Sequence, residues 1–247
     1  MIEMSSLEAR PGRRLAYRYR PGRAPTLVFL PGYMSDMEGS KATALDAWAA
    51  ERGRAMLRFD YGGCGASDGA FEDQELDDWL SDTLAMIDRV APDGPVVLVG
   101  SSMGGWLMLL AALARPERVA ALVGIAAAPD FTEWGYDEEE RRVLAQTGRL
   151  EQASPYGDAP FVTTLRFWES GQRHLLLGGA IALDCPVRLL HGQQDADVPW
   201  RNALTLAQQL RSADVQTFLI KDGDHRLSRP QDIALLIATV HAVMEQA

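Results

Sequence analysis

Short, mainly apolar runs alternate with amphipathic stretches along most of the chain, which is typical of alternating strands and helices. The apolar runs predict buried strands at 26–30, 55–59, 96–99, 119–125, 186–190 and 215–220. Apolar residues at helical spacing predict helices at 40–52, 72–90, 199–210 and 233–244. Strands that are buried on both faces need helices on both sides, so the pattern predicts an α/β fold with a mainly parallel sheet.

The alternation breaks between about 130 and 182, where the chain is polar and contains a charged helix pattern at 138–142. We interpret this stretch as a lid inserted into a single domain that spans 1–247. Its aromatic residues suit either an apolar substrate pocket or packing of the lid onto the body. They are Phe131, Trp134, Tyr136, Tyr156, Phe161, Phe167 and Trp168.

Composition narrows the possible functions. The 247 residues carry a formal net charge of −10, which argues against nucleic acid or an anionic membrane as a partner. No apolar stretch is long enough to cross a bilayer. No Cys/His spacing is typical of a metal site, and the glycine-rich stretch at 60–69 lacks the helix and Lys-Ser/Thr pair of a phosphate loop. We therefore expect no metal and no cofactor, while the oligomeric state stays open.

The start of the chain and its cysteines bear on location. The first ten residues contain acids and no apolar core, which predicts neither a secretory signal nor an arginine-rich transit peptide. The two cysteines, Cys64 and Cys185, are too few for a disulfide framework. These features together favour the cytoplasm.

The strongest chemical feature is Gly100-Ser101-Ser102-Met103-Gly104, which lies between a predicted buried strand and an apolar stretch that begins at Trp106. A sharp strand-to-helix turn holds such a serine in a strained conformation, and the flanking glycines avoid Cβ clashes. The pattern therefore predicts a nucleophile elbow with Ser102 as the nucleophile. A glycine-rich turn with an exposed serine is the alternative.

A serine nucleophile needs a base, and the chain has four histidines. His225 follows the last predicted strand and completes the order Ser, acid, His, so we predict it as the base. The other three are less suitable: His241 lies inside the last helix, His174 lies in the lid, and His191 ends a strand and is expected to shape its turn.

The acid that orients the base has several candidates. Asp195 and Asp197 follow the strand before the His225 strand, and motif position favours Asp195 because Asp197 is placed to cap the next helix. Asp222 and Asp224 would have to fold back to reach the far ring nitrogen of His225. Asp130, after an earlier strand, is a further alternative.

The tetrahedral intermediate of such a reaction needs two donors for its oxyanion. The N–H of Met103, at the start of the elbow helix, is the first expected donor. The second should come from the loop at 31–33, and the N–H of Tyr33 is the predicted group. Neither donor depends on its own side chain.

Several stretches together resemble the α/β-hydrolases, and within them the palmitoyl-protein thioesterases of the α/β-hydrolase-domain family, which are also described as acyl-glucuronide esterases. They are Leu-Pro-Gly-Tyr at 30–33, Arg-Phe-Asp-Tyr at 58–61, Gly-Ser-Ser-Met-Gly-Gly-Trp-Leu-Met-Leu at 100–109, Cys-Pro-Val-Arg-Leu-Leu-His-Gly at 185–192, Val-Pro-Trp at 198–200 and Asp-His-Arg at 224–226. The likeness spans about 15–244 and is weak only in the lid. It implies Ser102 as nucleophile, Asp195 as acid and His225 as base.

These features favour a serine hydrolase that cleaves acyl thioesters or esters through an acyl-enzyme on Ser102, with a small molecule or an acylated protein as substrate. The alternative within enzymes is a small-molecule carboxylesterase, including acyl-glucuronide cleavage. The alternative outside enzymes is an α/β-hydrolase that only binds a ligand. Cys64 is a further competing nucleophile, but no histidine follows it at a suggestive spacing.

Overall fold

The computed structural model describes residues 2–153 and 160–246. The strands are β1 (Ser5–Arg10), β2 (Arg13–Arg20), β3 (Arg23–Leu30), β4 (Arg54–Phe59), β5 (Val96–Ser101), β6 (Val119–Ile125), β7 (Arg149–Gln152), β8 (Phe161–Thr164), β9 (Val187–Gly192) and β10 (Val215–Ile220). The helices are α1 (Ser40–Arg52), α2 (Leu76–Arg89), α3 (Met103–Ala114), α4 (Phe131–Trp134), α5 (Glu138–Thr147), α6 (Leu165–Gln172), α7 (Arg201–Gln209) and α8 (Pro230–Gln246).

One eight-stranded sheet, in the order β1-β2-β4-β3-β5-β6-β9-β10, organises the molecule. β2 pairs antiparallel with β1 and with β4, and the remaining neighbours are parallel. The predicted α/β fold with a mainly parallel sheet is confirmed. Because β3, β5, β9 and β10 run in the same direction, the loops that follow them meet at one edge of the sheet.

The central strand β5 shows why helices cover both faces. Val96 and Leu98 point into one buried cluster, together with residues of α2 and α3. Val97 and Val99 point into a second cluster, together with residues of α1 and α8. Successive side chains of a strand alternate between the two faces, so a continuous apolar run is buried only when both faces are covered.

The structure adds one strand that was not predicted and moves several predicted ends of helices and strands. The first ten residues contain strand β1, whose Leu7 and Ala9 pack against the first cluster; two apolar residues were too few to predict it. The helix expected from residue 72 begins at Leu76, after a short 3-10 turn at Phe71–Asp73, because Glu75 and Asp78 form a capping box there. The helix expected from 199 begins at Arg201.

The segment at 130–182 contains α4, α5 and α6 and a separate two-stranded sheet of β7 and β8. Its contacts with the body are specific. The Tyr33 hydroxyl donates to the Val162 carbonyl at 2.6 Å, and the Trp106 indole N–H donates to the His174 carbonyl at 3.1 Å. The predicted lid therefore follows directly on the edge of the sheet where β6 ends.

None of the described helices combines the length and the apolar character that crossing a membrane requires.

Candidate active site

Ser102 lies at the turn from β5 into α3, with φ 54° and ψ −120°. This is a strained conformation for a residue with a side chain, and it persists only where neighbours hold it. The Ser102 N–H donates to the Ile125 carbonyl at 2.9 Å, and its carbonyl accepts the N–H groups of Gly105 and Ala128. The turn is therefore fixed from both sides of the serine.

The glycines that flank Ser102 are required by space. A Cβ on Gly104 would lie 2.1 Å from the Leu30 carbonyl oxygen, and a Cβ on Gly100 would lie 2.3 Å from the Gly104 carbonyl oxygen. Real Cβ atoms do not approach backbone so closely, so a larger residue would force β5, β3 and α3 apart. The glycines thus permit the close packing that presents Ser102 at the sheet edge.

His225 lies in the loop after β10 and contacts Asp195, in the loop after β9. His225 Nδ1 and Asp195 Oδ2 are 2.8 Å apart. The side chain of Asp195 is fully buried, whereas 17 % of the His225 side chain is exposed. A carboxylate only accepts hydrogen bonds, so Nδ1 carries the proton and Nε2 is left as the basic nitrogen.

Four donors surround the Asp195 carboxylate. Its Oδ1 accepts the N–H groups of Asp197 at 2.9 Å and Val198 at 2.8 Å, and its Oδ2 lies near His225 Nδ1 and 3.1 Å from His191 Nε2. Burial alone would raise the pKa of Asp195, but the hydrogen bonds from His191 and His225 outweigh it and hold the pKa below its usual range. Asp195 is therefore ionised whenever the protein is folded near neutral pH.

His191, which was expected only to shape the turn after its strand, lies against the Asp195 carboxylate. It is 1 % exposed at the end of β9, and its Nε2 also lies 3.1 Å from the Val198 carbonyl oxygen. Because a carbonyl only accepts, Nε2 carries the proton and is shared between this oxygen and Asp195. Its four-residue spacing from Asp195 was the available signal, but a strand end gave no indication that its ring turns toward the acid.

The alternative acids and bases have other partners. Asp130 accepts backbone N–H groups from 176 and 177, Asp222 pairs with Arg229 at 2.7 Å, and Asp224 accepts the N–H of Leu227. His174 contacts Asp77 at 2.6 Å, and His241 packs edge-on against Trp48. The structure therefore brings Asp195, and none of these acids, to the ring of His225.

The two predicted oxyanion donors are the N–H groups of Met103 and Tyr33. Met103 is the first residue of α3, so its N–H has no acceptor within the helix. Within residues 2–153 and 160–246, no protein acceptor is recorded for the N–H of Tyr33 either. A Cβ placed on Gly32, which precedes Tyr33, would lie 3.4 Å from the Ser102 Cβ. The loop at 31–33 is therefore in contact with the elbow.

Ser102 and His225 line one cavity of about 630 Å³. Among the described residues, no hydrogen bond joins the Ser102 hydroxyl to the His225 ring. Such bonds are often long in an enzyme without substrate and shorten when the substrate binds. Ser102 and His225 therefore line the same cavity, and we expect the hydrogen bond between them to form when a substrate is bound.

The aromatic residues of the lid divide between the two interpretations. Phe131, Trp134, Tyr136 and Phe161 line the cavity. Phe167 is instead buried against Tyr33 and Trp79, and the Trp168 indole donates to the Thr132 carbonyl. Tyr156 lies outside the described residues. Four of the aromatic residues thus line the cavity, Phe167 packs the lid onto the body, and Trp168 is bonded within the lid.

Cys64 is unsuited to act as the nucleophile. Burial raises the pKa of the Cys64 thiol to about 12, so it is protonated and a poor nucleophile.

Three side chains could in principle hold a metal ion. Asp195, Asp197 and His225 offer ligand atoms within 4.8 Å of one another. Because both oxygens of Asp195 already accept from N–H donors, a cation would have to displace those bonds.

Comparison with known proteins gives consistent results. Residues 23–150 match the family model described as serine aminopeptidase, S33. The chain is 42 % identical over 236 residues to the mouse mitochondrial palmitoyl-protein thioesterase ABHD10, covering 94 % of this chain and 79 % of that protein. The human protein of the same name is 40 % identical over 236 residues, covering 94 % and 77 %.

Solved structures give the same match in three dimensions. A putative hydrolase from Agrobacterium vitis S4 superposes with a TM-score of 0.93 at 40 % identity, covering 99 % of each chain. The mouse α/β-hydrolase domain-containing protein 10 superposes with a TM-score of 0.92 at 40 % identity, also covering 99 % of each. Est1E from Butyrivibrio proteoclasticus, whose structure holds bound ferulic acid, shares the fold with a TM-score of 0.80 at 23 % identity, covering 95 % of this chain and 96 % of that one.

Proposed function

The chain belongs to the ABHD10-type α/β-hydrolases of the serine aminopeptidase S33 family, and from this premise we propose that it cleaves acyl thioesters through an acyl-enzyme on Ser102. Hydrolase activity is common to the relatives, and the α/β-hydrolase fold is shared. The identity of the bond and the roles of Ser102, Asp195 and His225 are the proposed part.

The first half of the reaction acylates the enzyme. Ser102 Oγ attacks the carbonyl carbon while His225 Nε2 takes the hydroxyl proton, and the carbonyl oxygen becomes an oxyanion held by the N–H groups of Met103 and Tyr33. The intermediate collapses by breaking the bond from carbon to sulfur or oxygen. His225 then gives its proton to the leaving atom.

The second half repeats these steps with water. His225 Nε2 takes a proton from a water molecule whose oxygen attacks the acyl carbon, and the oxyanion uses the same two donors. Collapse returns the proton to Ser102 Oγ and releases a carboxylic acid. Asp195 stays ionised throughout and stabilises the imidazolium in each half.

One observation carries this proposal. The 2.8 Å contact from Asp195 Oδ2 fixes His225 with its basic nitrogen free, in a loop that lines the same cavity as the strained Ser102. A protein that only binds a ligand does not need the combination of an oriented His225, an ionised Asp195 and a strained Ser102 at one cavity. The aromatic side chains that line the cavity favour an apolar acyl group, and a thiolate leaves more readily than an alkoxide.

Ser102→Ala tests the proposal. We expect kcat/KM for a palmitoyl thioester to fall at least about 10³-fold, because the nucleophile is removed while the fold is retained. Ser81→Ala, at an exposed position of α2, is the matched control and should keep full activity. Full activity of Ser102→Ala on acyl thioesters and aryl esters would show that another group is the nucleophile.

Small-molecule ester cleavage, including acyl-glucuronide cleavage, is the second candidate. Hydroxyl side chains of Ser35, Ser40 and Ser228 line the cavity beside the aromatic ones, and such groups suit a polar alcohol. Comparison of kcat/KM for a palmitoyl thioester, a short aryl ester and a glucuronide ester ranks the two candidates. A preference for either ester above tenfold would favour the second.

We also propose that the enzyme works in the cytoplasm. Both cysteines are free thiols in the structure, and Cys64 is buried, which suits a reducing compartment. The mammalian relatives are named as mitochondrial proteins. Fractionation of the source cells tests this location, and recovery of the protein from any other compartment would contradict it.

A further inference from the structure

Two chain segments far apart in sequence form one polar wall of the cavity. The Lys41 Nζ, near the start of α1, donates to the Arg226 carbonyl at 2.6 Å. The Ser40 hydroxyl lies 3.3 Å from the Ser228 hydroxyl. All four residues line the cavity that Ser102 and His225 line. The start of α1 and the loop that carries His225 therefore form a continuous surface, hereafter the polar wall.

The proposed mechanism determines which part of the substrate meets this wall. His225 gives its proton to the leaving atom, so that atom must come within hydrogen-bond distance of Nε2. Arg226 follows His225 directly, and Lys41 is bonded to the Arg226 carbonyl. The polar wall is thus beside the leaving group, while the lid aromatics are available to the acyl chain.

Lys41 occupies an unfavourable place for a positive charge. It is the second residue of α1, where the helix dipole repels cations. Burial, followed by the charge of Arg226, lowers the pKa of Lys41 to about 8, although Asp224 and Asp232 act in the opposite direction. A perturbed pKa and an unfavourable electrostatic environment at a cavity make Lys41 a candidate binding residue.

In the described parts of the chain, the charges of Asp224 and Asp232 act on Lys41, but neither carboxylate forms an ion pair with its Nζ within 4.0 Å. The two acids that line the cavity belong to other walls: Asp36 lies in the loop of Tyr33 and accepts the N–H of Glu38 at 2.8 Å, and Asp197 lies in the loop of Asp195. The chain has only one other lysine, Lys221, which is exposed. The Arg226 carbonyl takes one of the three N–H donors of the Lys41 ammonium group, which leaves donors for a bound anion.

We propose that Lys41 binds an anionic group, a carboxylate or a phosphate, on the leaving part of the substrate, with Arg226 adding to the positive field. The proposal rests on the proposed function, because the direction of proton transfer identifies the leaving-group side. It predicts that the enzyme distinguishes leaving groups by charge as well as by the atom that departs.

Matched substrate pairs test this preference. Octanoyl-coenzyme A and octanoyl-N-acetylcysteamine have the same acyl chain and thioester, but only the first carries phosphates. The 1-O-octanoyl esters of glucuronic acid and glucose differ only in a carboxylate. We expect wild-type kcat/KM to favour the charged member of at least one pair, and the pair that shows the preference identifies the anion.

Variants then assign the preference to Lys41. In Lys41→Met the charged-to-neutral ratio of kcat/KM should fall about tenfold, as expected for loss of one charge-assisted hydrogen bond. Lys41→Arg should restore most of the ratio, and Lys221→Met should leave it unchanged. An unchanged ratio in Lys41→Met would overturn the proposal, because Lys41 would then only hold the Arg226 carbonyl.

A second measurement does not depend on turnover. Acetic anhydride modifies both lysines of the protein, and mass spectrometry reports each separately. Adenosine 3′,5′-bisphosphate, which carries phosphates but no thiol, or glucuronate should slow modification of Lys41 but not of Lys221, in wild type and in Ser102→Ala. Equal modification with and without both anions would overturn the anion site even if the enzyme were an active thioesterase. If an anion protected Lys41 but Ser102→Ala kept full activity, the anion site would stand and only the proposed function would be refuted.

Discussion

The carboxylate of Asp195 shows how single atoms prepare the site. Its two oxygens accept from the ring of His225, from two backbone N–H groups and from the ring of His191, all at 2.8 to 3.1 Å. A buried carboxylate with this many donors has one orientation and stays ionised. The proton on His225 is therefore held at Nδ1, which leaves Nε2 unprotonated for the proposed role as base.

Replacement of His191 tests this orientation. His191→Phe should lower kcat about three- to tenfold, since one hydrogen bond to Asp195 is lost. The acid limb of the kcat/KM profile should move to higher pH, because a carboxylate with fewer donors holds the imidazolium proton more strongly. His191→Gln, which keeps a donor, should recover part of both effects. Wild-type kcat and an unmoved limb in His191→Phe, with an unchanged Tm, would leave His191 only a packing role.

The residues of the site were predictable to different degrees. Ser102 and His225 follow from a glycine motif and from chain order, which are local properties. His191 was not assigned although Asp195 is only four positions away, because the sequence does not show how the turn after β9 folds back. Lys41 was not assigned because its partner depends on how distant segments meet: it contacts a residue 185 positions away. Spacing along a strand or a helix carries no information about such contacts.

At the scale of elements, the elbow depends on the close approach of β5, β3 and α3. Gly104→Ala should therefore destabilise the fold by roughly 1–3 kcal/mol and reduce activity, because the added methyl group meets the Leu30 backbone. Gly178→Ala, where a Cβ has no neighbour within 4 Å, is the matched control. Chemical denaturation of wild type and the two variants measures the difference. Equal stabilities would contradict the close contact between residue 104 and the Leu30 backbone.

A polar contact joins α2 to the end of α6 in the lid. Asp77, in the first turn of α2, accepts from the Ser170 hydroxyl at 2.8 Å and contacts His174 Nε2 at 2.6 Å. Burial opposes ionisation, but hydrogen bonds from His174, Arg173 and Ser170 outweigh it and lower the pKa of Asp77 to about 2. The contact therefore fixes the lid through an ionised carboxylate.

This lowered pKa makes the contact pH-dependent. A carboxyl whose folded pKa is depressed stabilises the fold above its unfolded pKa, near 4, and the stabilisation is lost as the pH falls toward 2. Asp77→Asn should thus cost less than about 1 kcal/mol at pH 6, since the side chain is 40 % exposed, and the cost should shrink at pH 3. Urea unfolding at the two pH values measures both numbers, and a cost that grows on acidification would contradict the assignment.

At the scale of the whole molecule, the sheet converts distant sequence segments into one site. Four loops, after β3, β5, β9 and β10, supply the expected oxyanion donor, Ser102, Asp195 and His225. The alternating apolar runs were sufficient to predict the fold because both faces of the sheet are buried. The edge strand β1 was missed because it is short and half-exposed. The architecture of the lid was missed because some of its aromatic residues line the cavity while others are packed, so they show no single periodic pattern.

The whole-molecule charge is compatible with this account only if anion binding is local. A formal net charge of −10 repels anions at long range, while Lys41 and Arg226 place positive charge at one wall of the cavity. The molecule is therefore expected to select charged leaving groups by contact and not by general attraction.

Covalent labelling by a fluorophosphonate, followed by intact mass and peptide mapping, tests whether Ser102 is an activated nucleophile. We expect a single adduct on Ser102 in wild type, none in Ser102→Ala, and labelling slowed at least about 10²-fold in His225→Ala, where no base takes the hydroxyl proton. An adduct on another residue, or equal labelling of wild type and His225→Ala, would contradict the claim that Ser102 is activated by His225 and Asp195.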